Sequence, residues 1–85
     1  MARHFADPPA IRVFAPAGTP THIVWRGRRA PVRVCNHWKL EYHWWKGKDG
    51  AVSREYYKLL TSSGAVLVVY QDLSDGVWYL ERILD

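Results

Sequence analysis

The sequence predicts an all-β domain, a small antiparallel meander of about six strands that curls into a partly closed barrel of the SH3-like or OB-like kind. Short segments in which apolar and polar side chains alternate indicate half-buried strands, and the clearest of them runs from Trp38 to Trp45. Turns rich in Gly, Asp and Pro separate these segments. The chain has 85 residues, which is enough for one domain with a modest core. Whether the sheet closes into a barrel is not decided by the sequence.

The N-terminal region is expected to have two parts. Residues 1–10 contain two adjacent prolines and no periodic pattern, which predicts a flexible N-terminal arm. Residues 11–85 are then a single small β domain. This domain begins with a short strand candidate, Ile11–Phe14, followed by a loop with the sequence A-P-A-G-T-P.

The next two strands are expected to form a hairpin with arginines at its tip. Thr21–Arg26 is rich in β-branched and aromatic residues, and Ala30–Val34 places valines at alternate positions. Gly27-Arg28 is expected to turn the chain between them. Pro31 has no backbone N–H to donate, which suits the edge of a sheet or the beginning of a strand.

The segment Trp38–Trp45 has two distinct faces. Its apolar face consists of Trp38, Leu40, Tyr42 and Trp44, and period-two alternation predicts that this face is buried. The opposite face carries Lys39, Glu41, His43 and Trp45. Because Trp45 lies among polar side chains, packing explains it least, and it is a candidate for an exposed ring. The following K-G-K-D-G, residues 46–50, predicts a turn.

The C-terminal third predicts the remaining strands. Ser53–Thr61 fits a strand or a helix, and the strand is preferred because the next segment needs a partner and the turn between them is short. Ala65–Tyr70 is apolar on both faces, which is typical of a central strand. The turn sequence D-L-S-D-G at Asp72–Gly76 leads into the last strand, Val77–Leu84.

Charge is unevenly distributed along the chain. Residues 1–58 carry 11 basic and 4 acidic side chains, whereas residues 59–85 carry 1 basic and 4 acidic side chains. The net charge is +4 and the isoelectric point is about 9.5, which favours a polyanionic or acidic partner. Most of the cations lie between Trp25 and Lys48, where seven basic residues are interleaved with aromatic rings and one acid.

These residues form the candidate binding site. The predicted nucleic-acid-binding residues are Arg26, Arg28, Arg29, Arg33, Trp45, Lys46 and Lys48. The cations would contact the phosphate backbone and Trp45 would stack on a base. The sequence therefore predicts a non-catalytic nucleic-acid-binding module, single-stranded or shape-reading. The alternative is a protein–protein interaction module, in which the same surface docks an acidic or aromatic protein segment, for example by strand addition at an open edge.

Other chemistries have less support in the sequence. Cys35 and His37 are two residues apart, so they share a strand face and form the one candidate nucleophile and base of a small enzyme. No nucleophile motif surrounds them, and we expect no catalytic residues. A single cysteine and the lack of paired C-x-x-C or H-x-x-x-H spacing argue against a metal site, and no cofactor is expected.

The sequence also predicts a location. The lone cysteine favours a reducing compartment, and there is no apolar run of signal-peptide or membrane-spanning length. We therefore expect a cytoplasmic protein with no membrane partner.

Several short motifs occur in a recognisable order. They are W-R-G-R-R-A-P-V-R-V at 25–34 with a tryptophan four residues on, W-W at 44–45, R-E-Y-Y-K-L-L-T at 54–61 and Y-Q-D-L-S-D-G-V-W-Y-L-E-R-I-L-D at 70–85. With these motifs, residues 22–85 resemble an uncharacterised small domain of high-GC bacteria, which occurs alone or appended to ImuB-like Y-family DNA polymerases. The resemblance implies a setting in DNA damage tolerance. It supplies no activity and no catalytic residues.

Overall fold

The computed structural model of the chain describes residues 3–4, 7–43 and 51–84, with side chains over 7–41 and 52–84. The described residues form seven β-strands in one antiparallel sheet and contain no helix, which confirms the all-β prediction. The strands are β1 Arg3–His4, β2 Val13–Phe14, β3 His22–Trp25, β4 Arg28–His43, β5 Ala51–Thr61, β6 Val66–Asp72 and β7 Trp78–Leu84. Ser53–Thr61, which fitted a strand or a helix, lies within β5.

The sheet is a meander curled into a half-barrel. Its strand order is β1-β7-β6-β5-β4-β3-β2, so every strand from β2 to β7 pairs with its neighbour in the chain. The predicted central strand is confirmed, because β6 lies between β5 and β7 and buries both of its faces over residues 67–70. Antiparallel strands that follow one another in the chain can pair through short connections, so a meander needs no long crossover between its strands.

Residues 9–14 connect the two ends of this sheet. The backbone oxygen of Pro9 accepts a hydrogen bond from β7, and the N–H of Ile11 donates one to β7, each at 2.9 Å. The same segment then forms β2, which pairs with β3. Because one short segment bonds to both β7 and β3, the sheet is partly closed. Within residues 1–10, expected to form a flexible arm, Arg3–His4 also pair with β7.

The main core lies on the inner face of the curled sheet. Its buried side chains are Ile23, Tyr57, Leu59, Leu67, Val69 and Leu80. Leu59 and Leu67 are directly opposite each other on β5 and β6, and both are fully buried. Partly buried side chains from β2, β3, β4 and β7 pack against this cluster, including Trp25 and Trp78. Those two tryptophans therefore contribute to the core.

A bulge at Cys35 determines which side chains each face of β4 carries. Val34 is opposite Leu59 and Asn36 is opposite Lys58, so Cys35 is an extra residue without a partner in the ladder. In a regular strand, all even-numbered residues share one face. The extra residue breaks this rule, so that the valines before the bulge point inward and the even-numbered side chains after it point outward.

The predicted burial of the apolar face of Trp38–Trp45 is therefore wrong for the two members whose side chains are described. Trp38 and Leu40 are 36% and 38% exposed and lie on the outer face of the sheet. The alternation itself is correct, but the bulge turns this face away from the main core. Tyr42 and Trp44 lie outside the residues whose side chains are described.

The β3–β4 hairpin turns one residue earlier than predicted. Arg26 and Gly27 have φ angles of 52° and 78°, and Trp25 pairs directly with Arg28. Two consecutive residues with positive φ define the two-residue turn whose twist matches that of the flanking strands. Gly27 adopts this conformation without strain, whereas an arginine rarely does. The turn is therefore Arg26-Gly27, and the prediction of arginines at the hairpin tip is confirmed.

Candidate nucleic-acid interface

Three of the predicted site residues line one open groove at the end of the sheet. The groove lies where the β3–β4 turn and the β5–β6 turn meet, and it is lined by Trp25, Arg26, Arg28, Arg29, Ser62 and Ser63, with Ala30 and Pro31. We call it the arginine groove. The guanidinium carbon of Arg26 lies 5.3 Å from the centre of the Trp25 ring. A half-buried ring thus holds a cation at the wall of the groove.

The electrostatics of the arginine groove favour an anion. Arg26, Arg28 and Arg29 are exposed, and none of the ion pairs in the described part of the chain involves them. The Arg29 guanidinium carbon lies 4.4 Å from the centre of the Phe14 ring. A guanidinium that no described carboxylate pairs with can still form paired hydrogen bonds to a phosphate. The hydroxyl group of Ser62 on the facing turn is a further hydrogen-bond donor.

Arg33 lies outside the arginine groove but continues from it along the outer face of β4. This face displays Arg29, Pro31 and Arg33 before the bulge and Asn36, Trp38 and Leu40 after it, all of them exposed. Lys58 lies opposite Asn36 on the neighbouring strand and adds another cation. Positive side chains therefore extend along the outer face from the groove towards Trp38.

Four aromatic rings form a row across the outer face of β4, β5, β6 and β7. They are Trp38, Tyr56, Tyr70 and Tyr79, with neighbouring ring centres 5.4, 5.1 and 5.3 Å apart. We call this row the ring column. Sequence reasoning missed it, because only the strand register places these four residues side by side. The available signal was the presence of aromatic residues in four successive predicted strands.

Arg54 fixes the middle of the ring column. Its guanidinium carbon lies 4.6 Å from the centre of the Tyr70 ring, and Nη1 donates a hydrogen bond of 3.3 Å to the hydroxyl oxygen of Tyr56. This hydrogen bond raises the pKa of Arg54, so the side chain remains charged. Tyr56 and Tyr70 are each only 5% exposed, and burial raises the pKa of both phenol groups.

The buried phenol of Tyr56 predicts a dependence of stability on alkaline pH. Its pKa in the folded protein is higher than its usual value near 10, because burial disfavours the charged form. The unfolded chain therefore loses this proton first. The stabilisation is fully present below pH 10 and is lost as the pH rises from about 10 through the folded pKa. We expect the free energy of unfolding in urea to fall between pH 9 and pH 11, and to fall less steeply in Tyr56→Phe. An equal slope in both proteins would contradict this assignment.

Cys35 and His37, the candidate nucleophile and base, make different contacts. The Nε2 atom of His37 contacts the carboxylate of Glu55, and the imidazole ring stacks on Tyr57 with ring centres 4.5 Å apart. The Sγ atom of Cys35 lies 3.9 Å from the backbone oxygen of Arg33. Within the described residues, no group of three His, Cys, Asp or Glu side chains is arranged to hold a metal ion.

The remaining predicted site residues are Trp45, Lys46 and Lys48, which lie outside the described residues. No described segment is a helix with the length and apolar character needed to cross a membrane.

The fold and site define a small antiparallel β domain with a cationic groove at one end and an aromatic row on its outer face. Residues 3–85 match the family model of a domain of unknown function, DUF6504, and the chain belongs to this family. This match confirms the part of the resemblance that concerns an uncharacterised small domain. No curated protein matches the chain, and neither does any solved structure.

Proposed function

We propose that this domain is a non-catalytic nucleic-acid-binding module that holds the phosphate backbone in the arginine groove. The observation that carries the proposal is that Arg26, Arg28 and Arg29 all line one groove, with none of them in an ion pair of the described chain. Such a groove contacts phosphates regardless of sequence, and its affinity falls as salt rises because bound counterions are released. Arg33 and Lys58 extend the same charge along the outer face.

The biological setting that we propose rests on the resemblance to domains of high-GC bacteria that occur alone or beside ImuB-like polymerases. In that setting, the module would act in DNA damage tolerance, in the cytoplasm. Single-stranded DNA is the ligand that we propose in this setting, because a basic groove with nearby rings suits it. The binding experiment below includes RNA and duplex DNA, so that the ligand class is measured directly.

Reversing the charge at the groove is expected to abolish most of the binding. In Arg28→Glu/Arg29→Glu, affinity for labelled single-stranded DNA should fall at least about tenfold at low salt, since one charge-assisted hydrogen bond contributes about 1.5–3 kcal/mol. The slope of log affinity against log salt should become shallower by about 1.4, the value for two single-strand phosphate contacts. Fluorescence anisotropy with single-stranded and duplex DNA and RNA, at low and moderate salt, measures both quantities.

The matched control is a single charge reversal away from the groove, Lys39→Glu. Its affinity is compared with that of the single variant Arg28→Glu. Lys39 is exposed but lies on the inner face of β4, next to Glu41 at 3.6 Å, and away from the groove. Lys39→Glu should change the affinity for single-stranded DNA less than twofold. If the nucleic acid were attracted uniformly to any basic protein, Lys39→Glu and Arg28→Glu would lose the same affinity. Binding that does not change with salt would contradict the proposal.

The open edge of β4 favours a second candidate function, a protein–protein interaction module in a DNA repair or polymerase assembly. β3 pairs only with Arg28–Pro31, and no described strand covers the same side of β4 from Arg33 onward. An acidic or aromatic protein segment would add there as a strand, through backbone hydrogen bonds. Lys39 and the bulge at Cys35 weaken this reading, because charges and bulges protect edges from pairing. Failure to bind any nucleic acid at low salt would make it the preferred function.

A further inference from the structure

Trp38 ends the ring column at the open edge of β4. One face of its indole ring stacks on Tyr56 with the two ring planes only 4° apart. Tyr56 lies on β5, so the opposite face of the indole points to the side of β4 where the pairing with β3 has already ended, at Pro31. Trp38 is 36% exposed, and among the described side chains no second ring stacks on it.

The column behind Trp38 holds its ring in a fixed orientation. Tyr56 and Tyr70 are almost fully buried, and Arg54 is bonded to one of them and packed on the other. A ring supported in this way loses little conformational freedom when a ligand stacks on it, so most of the stacking energy contributes to affinity. Trp38 is therefore a preorganised flat surface rather than a mobile side chain.

The outer face of β4 provides a continuous path from the arginine groove to Trp38. Arg29 and Trp38 are nine positions apart, which is a span of at most about 30 Å along a strand. Arg33 and Asn36 lie between them on the same face, and Lys58 lies beside Asn36. At about 3.4 Å per stacked nucleotide, a strand of about ten nucleotides covers this distance.

From this geometry we propose that Trp38 is a base-stacking subsite for single-stranded nucleic acid. A nucleobase stacks on the free face of its indole and adds one ring to the column, while the phosphates of the same strand contact Arg33 and the arginine groove. The inference rests on the proposed function and adds the position and chemistry of base contact. A duplex presents only the edges of its paired bases in its grooves, whereas a single strand presents the flat faces that this subsite needs.

The test compares a ten-residue oligothymidine with an abasic strand of the same length, both measured by fluorescence anisotropy. Trp38→Ala should weaken binding of oligothymidine by about 5- to 150-fold, which corresponds to the loss of one stacked base. It should leave binding of the abasic strand and the salt slope unchanged, because the phosphate contacts remain. Trp38→Phe should retain most of the affinity, since its ring still provides a flat face.

Two further variants separate stacking from folding and from general hydrophobic contact. Trp38→Leu keeps an apolar side chain over Tyr56 and should lose the same stacking affinity as Trp38→Ala with a melting temperature closer to the wild type. Leu40→Ala is the matched control, because Leu40 is 38% exposed on the same face of the same strand. It should bind oligothymidine like the wild type.

Failure of this inference differs from failure of the proposed function. Suppose that Trp38→Ala and Trp38→Leu bind oligothymidine as tightly as the wild type, while Arg28→Glu/Arg29→Glu still loses binding. This result would overturn the stacking subsite and leave the arginine groove intact. Equal losses in Leu40→Ala and Trp38→Ala would also overturn it. A wild-type protein that binds neither strand at low salt would overturn both.

Discussion

Leu59→Ala is expected to destabilise the domain by about 2–5 kcal/mol, a large part of the roughly 5–15 kcal/mol that stabilises a typical domain. Leu59 is fully buried near the C-terminal end of β5, opposite Leu67 on β6, and the β3 side chain Ile23 belongs to the same cluster. Alanine would leave a cavity that the surrounding strands cannot fill, because each is fixed by its ladder of backbone hydrogen bonds. Urea unfolding followed by tryptophan fluorescence measures the change, since Trp25 and Trp78 pack against this cluster.

The control for this prediction is Leu73→Ala. Leu73 is 42% exposed in the turn between β6 and β7, so the same substitution should change the free energy of unfolding by less than about 0.5 kcal/mol. Similar losses in the two variants would mean that the inner-face cluster is not the main source of stability. An intact fold in Leu59→Ala with a loss under about 1 kcal/mol would have the same meaning.

Removing residues 1–14 is expected to have a comparable effect, by opening the half-barrel. This deletion removes β2 and the backbone hydrogen bonds of residues 9–11 to β7, together with Ile11 and Val13, which pack against the core. Full burial of such an aliphatic side chain contributes roughly 1.5–3 kcal/mol, and these two are only partly buried. Together with the lost backbone hydrogen bonds, at roughly 0.5–1.5 kcal/mol each, they give an expected loss of about 3 kcal/mol. The outer edges of β3 and β7 would also be uncovered, which promotes association through strand edges.

Deletion of residues 1–6 provides the comparison, because it removes β1 and keeps the closing segment 9–14. β1 pairs with β7 through only two residues, so this shorter deletion should cost much less. Urea unfolding gives the two stabilities, and size-exclusion chromatography shows whether the longer deletion associates. If both truncated proteins were as stable as the full chain, closure by residues 9–14 would not contribute to the fold.

Much of the fold could be read from the sequence because turns and alternation are local signals. The hairpin with arginines at its tip, the central strand Ala65–Tyr70 and the turn at Asp72–Gly76 all occur where the pattern predicts them, within two residues at the boundaries. For Ser53–Thr61, a strand was preferred to a helix because the next segment needs a pairing partner. Pairing between segments already belongs to tertiary structure. The prediction failed at Trp38 and Leu40, because a bulge adds one residue without leaving a mark in the hydrophobic pattern.

The candidate site was predictable in part, for the same reason. Arg26, Arg28 and Arg29 are close in sequence, so a tight turn brings them together and the sequence is enough to group them. The ring column depends on register across four strands, and an error of one residue in any of them would move its ring to the other face. Trp38 could therefore be assigned to the outer face only from the structure.

The sequence by itself determined the all-β class, the meander order of the strands and the concentration of positive charge in the first two thirds of the chain. These properties depend on residue type and on spacing over a few residues, which the amino-acid order records directly. Only the structure joined the predicted segment Ala30–Val34 and the described part of Trp38–Trp45 into one strand, β4. Only the tertiary structure decided how residues 9–14 close the sheet and which face of β4 carries Trp38. It also decided how four rings from separate strands come to stand in one row. Each of these depends on contacts between distant residues and on the register of paired strands, and backbone hydrogen bonding sets that register only when the whole sheet has formed.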